Sequence, residues 1–147
     1  MVFFRPRRNS RRRLLSNSYP YTAARSILTP GELAFLPVLR QAVPPGVEIC
    51  PKVRLADVLI CPEDFWDEHG WRVSSKHLDF VLADDETLAP LLCVELDDAS
   101  HHDRDRQRRD QFLDEALAAV GLPLLHVRAM RQYPLEELKA IIAEVVG

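Results

Sequence analysis

Cysteines are few in this 147-residue chain, and no two of them form a C-x-x-C pair. Cys50, Cys61 and Cys93 each adjoin apolar or strand-like residues, which predicts buried free thiols in a reducing cytoplasm. The alternative, a zinc site, would have to combine three isolated cysteines with a histidine. A single domain of this length buries a sufficient core without disulfides or a structural metal.

Long apolar runs are also absent. The longest fall well below the roughly 18 residues that a membrane-spanning helix needs. Residues 1–4 and the pair Leu14-Leu15 are too short for the apolar core of a secretory signal. The chain also has no internal repeat, glycine-rich phosphate loop or G-x-S-x-G elbow. We therefore expect a cytoplasmic protein without a membrane span.

Acidic residues are missing from the first 25 positions, which hold seven arginines, whereas the rest of the chain holds 12 basic and 22 acidic residues. We expect residues 1–27 to form a flexible basic arm and residues 28–147 to form a single domain. Such an arm suits phosphate binding through counterion release, contact with an anionic membrane surface, or simple solvation. The arginines expected to contact nucleic acid are Arg7, Arg8, Arg11, Arg12 and Arg13.

Helical signals lie near both ends of this domain. Thr29, Pro30 and Glu32 fit an N-cap, a first helical residue and a capping-box acid, so a helix is predicted from Pro30. Pro37 is expected to kink or interrupt this helix because proline removes a backbone donor. Pro134 opens a last helix. Its predicted core-facing residues are Leu135, Leu138, Ile141, Ile142 and Val145.

Between these helices the chain alternates strand-like and helix-like segments. Strand character extends over residues 47–60, residues 61–75 are expected to form a loop anchored by Trp66 and Trp71, and residues 123–130 a buried strand. The helix before that strand has a predicted buried stripe of Phe112, Leu113, Ala116, Leu117 and Val120. Together with two strands described next, this order predicts an α/β sandwich with a central mixed sheet.

Carboxylates occur within two apolar strands, KHLDFVLAD and PLLCVELDD. Because side chains alternate between the faces of a strand, Asp79 shares a face with Val81, and Glu95 shares one with Asp97. If the strands are neighbours with matching faces, these three carboxylates converge at the end of the sheet.

Buried carboxylates repel one another and lose hydration, so they need a compensating cation or hydrogen-bond donors. A hard divalent metal, Mg²⁺ or Mn²⁺, meets this need, with substrate phosphate completing its ligand shell. The pattern therefore indicates phosphodiester chemistry. Alternatively, the carboxylates are structural charges paired with Arg54 or Lys76. Lys52, Lys76 and Arg104 are candidate phosphate contacts, although a solvated strand face explains Lys52 and internal helix ion pairs explain Arg104.

The order of these motifs resembles the PD-(D/E)XK nuclease superfamily, and in particular its very-short-patch-repair-like branch with uncharacterised bacterial domains. The segments that carry the resemblance are LDFVL, VELDDASH and GLPLLHV, within residues 29–146. The resemblance implies a restriction-endonuclease-like fold. It also implies that Asp79 and Glu95 are catalytic metal ligands, with the backbone carbonyl of Leu96 as a third.

Three positions depart from the family pattern. Asp97 stands where many superfamily members have a lysine, so either Asp97 is an additional catalytic metal ligand or a cation such as Lys52 or Lys76 approaches from another strand. Asp98 replaces a common glycine. His126 stands where related domains often have arginine. These changes leave open a domain that keeps the fold and has lost the chemistry.

Two histidines and one glutamate are further candidates. His101 is a candidate general acid or base, ahead of His102, because histidine titrates near neutrality. However, Ser100 and Asp103 fit a capping box, which makes a solvated first helical turn an alternative for both histidines. Glu32 is a candidate metal ligand, although its capping box already explains it.

The sequence thus predicts a bacterial nuclease-like domain that uses Mg²⁺ or Mn²⁺ to hydrolyse nucleic acid, with DNA as the expected partner. The first alternative is an inactive nuclease fold that binds nucleic acid through the arginine arm. The second is a membrane- or protein-associated accessory domain.

Overall fold

The computed structural model describes residues 19–97 and 104–147, with the side chains of residues 104–110 excepted. Four strands and five α-helices make up this part of the chain. The strands are β1 (Val47–Arg54), β2 (His77–Asp84), β3 (Pro90–Asp97) and β4 (Leu124–Arg128). The helices are α1 (Pro30–Ala42), α2 (Leu55–Val58), α3 (Trp71–Ser74), α4 (Arg104–Ala119) and α5 (Leu135–Val146).

The strands form one sheet in the order β1-β2-β3-β4. The pairs β1/β2 and β2/β3 are antiparallel, whereas β3 and β4 are parallel. A parallel pair cannot be joined by a tight hairpin, and α4 provides the crossover between its two strands. The predicted mixed α/β architecture, with a central mixed sheet flanked by helices, is therefore confirmed.

Two apolar clusters hold the helices against the sheet. The larger packs α1 and α5 on Phe80, Leu82, Leu92 and Val94. The second packs the remaining helices on Val81 and Cys93. Neighbouring residues of a strand enter different clusters because their side chains point to opposite faces of the sheet.

Helix α1 begins as the sequence predicts. The Thr29 hydroxyl accepts a hydrogen bond from the Glu32 amide at 3.3 Å, and the Glu32 carboxylate accepts one from the Thr29 amide at 3.0 Å. Pro37 does not end the helix, which continues to Ala42. Pro37 lies on the exposed side of the helix, where water can satisfy the carbonyl that its missing N–H leaves unpaired.

The predicted strand over residues 47–60 is too long. Strand β1 ends at Arg54 because the next four residues form the helical turn α2, which begins with the buried side chain of Leu55. The Arg54 guanidinium donates to both carboxylate oxygens of Asp57, at 2.6 and 2.9 Å. This bidentate ion pair closes the turn.

Residues 61–75 form short helical turns rather than the loop predicted, among them the 3₁₀ turn Glu63–Phe65 and the π turn Trp66–Gly70. The prediction that Trp66 and Trp71 anchor this segment is wrong, because Trp66 is 49% exposed and Trp71 is 63% exposed. Val73 is the buried side chain of this segment, packing with α2 in the second cluster.

The apolar stripes of the later helices are narrower than predicted. Leu113 and Leu117 of α4 are buried, as are Leu138 and Ile142 of α5. Val120 is exposed because it follows the end of α4, and strand β4 is half-buried rather than buried. Among the three free cysteines, burial is confirmed only for Cys93. None of the described helices is long and apolar enough to cross a membrane.

Candidate active site

Asp79 and Glu95 face each other where β2 and β3 stop pairing through their backbones. They lie one residue beyond the paired Phe80 and Val94. The Asp79 amide donates to Glu95 Oε1 at 3.1 Å, and the Leu96 amide donates to Asp79 Oδ2 at 2.9 Å. Each carboxylate therefore binds the backbone of the opposite strand. This reciprocal bonding positions two acidic side chains at one point in the sheet.

Both carboxyl groups bind protons more strongly than usual. Burial, together with the negative charge of Asp79, raises the pKa of Glu95 to about 7. Burial also raises the pKa of Asp79, and the charge of Glu32 adds to this effect, although the Leu96 amide opposes it. Desolvation and mutual repulsion disfavour two negative charges here. Such perturbed carboxyl groups are common at functional sites.

Lys52 approaches this pair from the edge strand β1. Its neighbours Pro51 and Val53 pair with Phe80 and Leu78, so Lys52 lies opposite Asp79. The backbone φ of Lys52 is 55°, a left-handed conformation that interrupts the pairing of β1 with β2 at this residue and costs a non-glycine residue roughly 1–3 kcal/mol. The ammonium lies 3.5 Å from Asp79 Oδ1. Backbone strain of this kind is typical of sites where a side chain must take a specific direction.

Glu32 holds the other side of the Lys52 ammonium. Lys52 Nζ donates to Glu32 Oε1 at 2.6 Å, while Glu32 Oε2 accepts the capping hydrogen bond from Thr29. Burial alone would raise the pKa of Glu32, but the bonds from Lys52 and Thr29 outweigh it and hold this pKa below its ordinary value. Burial would lower the pKa of Lys52, yet Glu32 raises it. Lys52 is therefore a cation at neutral pH.

Asp97 has a different partner from Asp79 and Glu95. Its Oδ2 lies 3.2 Å from His126 Nδ1, and His126 Nε2 lies 3.0 Å from Asp114 Oδ1 on α4. Burial would lower the pKa of His126, but Asp114 and Asp97 raise it. With a carboxylate at each ring nitrogen, the imidazole donates both hydrogen bonds only when it is protonated. This bridge ties β3, β4 and α4 together beside Glu95.

The carboxylates of Asp79 and Glu95 match the metal that the sequence predicts. Carboxylate oxygens are the ligands that Mg²⁺ and Mn²⁺ prefer, and Mg²⁺ is commonly held by one or two carboxylates with water and substrate phosphate. Asp79 and Glu95 meet this requirement. Within the described residues, no group of three or more His, Cys, Asp or Glu side chains could hold a metal ion. The side chains thus fit a site of two carboxylates rather than an all-protein cage.

The remaining predicted residues divide into two groups. Arg54 pairs with Asp57, the Lys76 ammonium lies 5.5 Å from the centre of the Phe112 ring, and Lys52 makes the contact to Asp79. The other predicted residues lie outside the described part of the chain or have undescribed side chains: Arg7, Arg8, Arg11, Arg12, Arg13, Asp98, Ser100, His101, His102, Asp103 and Arg104.

Sequence reasoning missed Asp114 and the bridging position of His126. Asp114 is one acidic residue among many on α4, and nothing in its sequence context distinguishes it. The shared bond of Lys52 to Glu32 and Asp79 was also not predicted as a unit. A proline immediately before a charged residue within a strand, as at Pro51-Lys52, is the one local signal of the interruption.

Comparison with known proteins gives a family but no activity. The family model described as "Protein of unknown function (DUF2726)" matches residues 24–145. None of the curated proteins compared with the chain matches it, and neither does any of the solved structures. Any activity must therefore be argued from the site.

Proposed function

Because the chain belongs to the DUF2726 family of proteins of unknown function, we propose from its site alone that it is a Mg²⁺- or Mn²⁺-dependent phosphodiesterase that cleaves nucleic acid. Asp79 and Glu95 hold the metal. The proposal includes a restriction-endonuclease-like arrangement of the sheet and helices, and DNA as the substrate.

The observation that carries this proposal is the pair of reciprocal hydrogen bonds between the carboxylates of Asp79 and Glu95 and the opposite strands. They bring together two acidic groups whose pKa values are raised by burial, with the charge of Asp79 adding to the rise at Glu95 and the charge of Glu32 adding to the rise at Asp79. A structural ion pair would supply one cation for each carboxylate. Lys52, however, is shared between Glu32 and Asp79. A divalent cation relieves the excess negative charge.

The bound metal would lower the pKa of a water molecule and polarise a phosphoryl oxygen. The chain's own residues position the reactants. The Leu96 amide fixes the orientation of Asp79, and the Asp79 amide fixes that of Glu95. Lys52 provides the positive charge that Asp97 cannot provide from β3. Its ammonium is available to stabilise a phosphate oxygen or to orient the attacking water.

Asp97 takes a supporting role in this proposal. Its contact with His126 compensates its charge, and at Glu95 the small rise in pKa caused by Asp97 is opposed by the positive charge of His126. The arginines of residues 1–25 would supply nonspecific affinity for the phosphate backbone, since phosphate contacts release counterions.

The test uses purified protein with supercoiled plasmid, single-stranded DNA and RNA, in Mg²⁺ and then in Mn²⁺. Asp79→Asn and Glu95→Gln keep the side-chain volumes and should each lower cleavage at least about 100-fold. Asp85→Asn is the matched control, because Asp85 lies in the exposed turn after β2. It should cleave at the wild-type rate.

A nuclease activity that all three variants retain would come from a contaminant and would contradict the proposal. Absence of cleavage by the wild-type protein on every substrate would also contradict it. In that case nucleic-acid binding in chelator, lost on deletion of residues 1–25, would instead support the inactive binding domain.

A further inference from the structure

We infer that Lys52 is a tethered cation that competes with the divalent metal for Asp79, and that Glu32 sets the strength of this competition. The inference rests on the proposed function and concerns the regulation of metal affinity at the same site. It assigns opposite effects on metal binding to two residues that bind each other, which a purely structural ion pair does not predict.

The backbone of β1 commits Lys52 to this position. A regular strand residue has a negative φ, whereas Lys52 has φ 55° while both flanking residues keep their pairing with β2. The side chain is 30% exposed, compared with 18% for Asp79 and 6% for Glu32. A lysine with no role beyond solubility would extend into solvent. This one instead directs its charge between two half-buried or buried carboxylates.

The ammonium is divided unequally between its partners. It lies 2.6 Å from Glu32 Oε1 and 3.5 Å from Asp79 Oδ1. Asp79 Oδ2 accepts the Leu96 amide, so Oδ1 is the oxygen that faces Lys52. A metal ion bound through Oδ1 would therefore lie close to the ammonium, because both cations would contact the same oxygen. Two like charges at that separation repel each other, and partial burial weakens the screening of this repulsion by water.

Glu32 moderates the competition because it draws the ammonium away from Asp79. The capping hydrogen bond from Thr29 fixes the Glu32 carboxylate at the start of α1. With Glu32 neutral, Asp79 would become the main partner of Lys52 and metal binding would weaken. With Lys52 neutral, Asp79 would lose its competing cation and metal binding would strengthen. The two residues thus act on metal affinity in opposite directions.

The measurement is Mn²⁺ binding without nucleic acid, followed by the electron paramagnetic resonance signal of free Mn²⁺. Four proteins form a double-mutant cycle: wild type, Lys52→Met, Glu32→Gln and the variant with both changes. Lys52→Met should bind Mn²⁺ about tenfold more tightly than wild type, and Glu32→Gln about tenfold more weakly. These factors correspond to the Coulomb energy of one unit charge close to a partly buried site. Because Glu32 acts through Lys52, the double variant should bind Mn²⁺ about as tightly as Lys52→Met, and a return to wild-type affinity would show that the two charges act independently, which overturns the role given to Glu32.

Two controls separate this effect from general charge and from misfolding. Lys139 and Glu136 form an exposed ion pair on α5, so Lys139→Met and Glu136→Gln make the same charge changes and should leave Mn²⁺ affinity unchanged. Because Lys52→Met alone leaves Glu32 buried without its cation, the comparison of Glu32→Gln with the double variant is the more secure. These two proteins differ only at residue 52.

The outcomes distinguish the roles of Lys52 and Glu32 from the existence of the metal site itself. If Glu32 is itself a metal ligand, the double variant will bind as weakly as Glu32→Gln, which overturns the inference. Equal or weaker binding on loss of Lys52 also overturns it, while Asp79-dependent Mn²⁺ binding would leave the proposed function standing. If wild type and Asp79→Asn bind Mn²⁺ equally or not at all, the metal site itself is refuted, and the inference falls with it.

Discussion

The amide of Asp79 donates a hydrogen bond to the carboxylate of Glu95 at 3.1 Å, across the point where the backbone pairing of β2 and β3 ends. A side chain therefore replaces a ladder bond at this position. The replacement buries a carboxylate whose pKa is raised to about 7. Such a group favours metal binding at the cost of stability.

Glu95→Gln should stabilise the protein in chelator at pH 8. The pKa of Glu95 is about 7 in the folded protein, compared with an ordinary value of 4.5. The folded state therefore binds the proton more strongly than the unfolded state does. Stability is consequently lost as the pH rises from about 4.5 to about 7, by up to about 3 kcal/mol. The substitution removes this penalty. Urea unfolding at pH 4 and pH 8 should show a gain only at pH 8, and an equal gain at both would contradict the assignment.

His126→Asn should make the stability of the protein depend less on pH above about pH 6.5. Asp114 and Asp97 raise the folded pKa of His126, so its stabilising contribution is complete below the unfolded pKa of about 6.5 and is lost as the pH rises through the folded value. The side chain is 34% exposed, and we therefore expect a loss below about 1 kcal/mol.

Urea unfolding of Glu95→Gln at pH 5.5 and pH 8.5, compared with the variant that carries both Glu95→Gln and His126→Asn, isolates this contribution. The background removes the titration of Glu95. A histidine that remained neutral would give parallel profiles for the two proteins.

Lys52→Val should be less stable than Lys52→Met by about 1 kcal/mol or more. Both substitutions remove the ammonium, but a β-branched side chain is strongly disfavoured at the φ of 55° that residue 52 adopts. Thermal unfolding of the two variants under identical conditions measures the difference. Equal stability would show that the backbone relaxes to a regular strand once the lysine is lost.

Thr29→Ala should destabilise the protein by about 1 kcal/mol, because the Thr29 hydroxyl accepts the Glu32 amide at the start of α1. Thr29→Ser keeps the hydroxyl and serves as the control. The Glu32 carboxylate is held by the backbone amide of residue 29, which both substitutions keep, so neither Thr29→Ala nor Thr29→Ser should change Mn²⁺ affinity. A change in stability without a change in Mn²⁺ affinity would show that the Thr29 hydroxyl stabilises the helix but does not affect the metal site.

The local features of the fold follow from short stretches of sequence. The capping box that begins α1 requires two residues three positions apart, and both of its hydrogen bonds are present. The apolar strands around Asp79 and Glu95 follow from alternation of side chains, which needs no knowledge of the partner strand. The sequence could therefore indicate two acidic strands, and the antiparallel register of β2 and β3 brings their carboxylates together.

Other predictions failed where tertiary packing overrides local pattern. Residues 55–58 have strand-like composition but form a helical turn, because Leu55 and Leu59 enter the second core cluster. Trp66 and Trp71 are large and apolar, yet both remain exposed while Val73 is buried. Apolar character alone does not decide which side chain reaches the core.

The amino-acid sequence by itself determined the α/β class, the start of α1 and the strands that carry Asp79 and Glu95, since these depend on contacts within a few residues. Only the tertiary structure decided the charge partners. Lys52 and Glu32 are 20 residues apart, and Asp97 and His126 are 29 apart. Their contacts depend on the strained backbone of β1 and on the parallel crossover of β4. Sheet register and crossover geometry bring distant charges together, and a short sequence pattern carries no record of either.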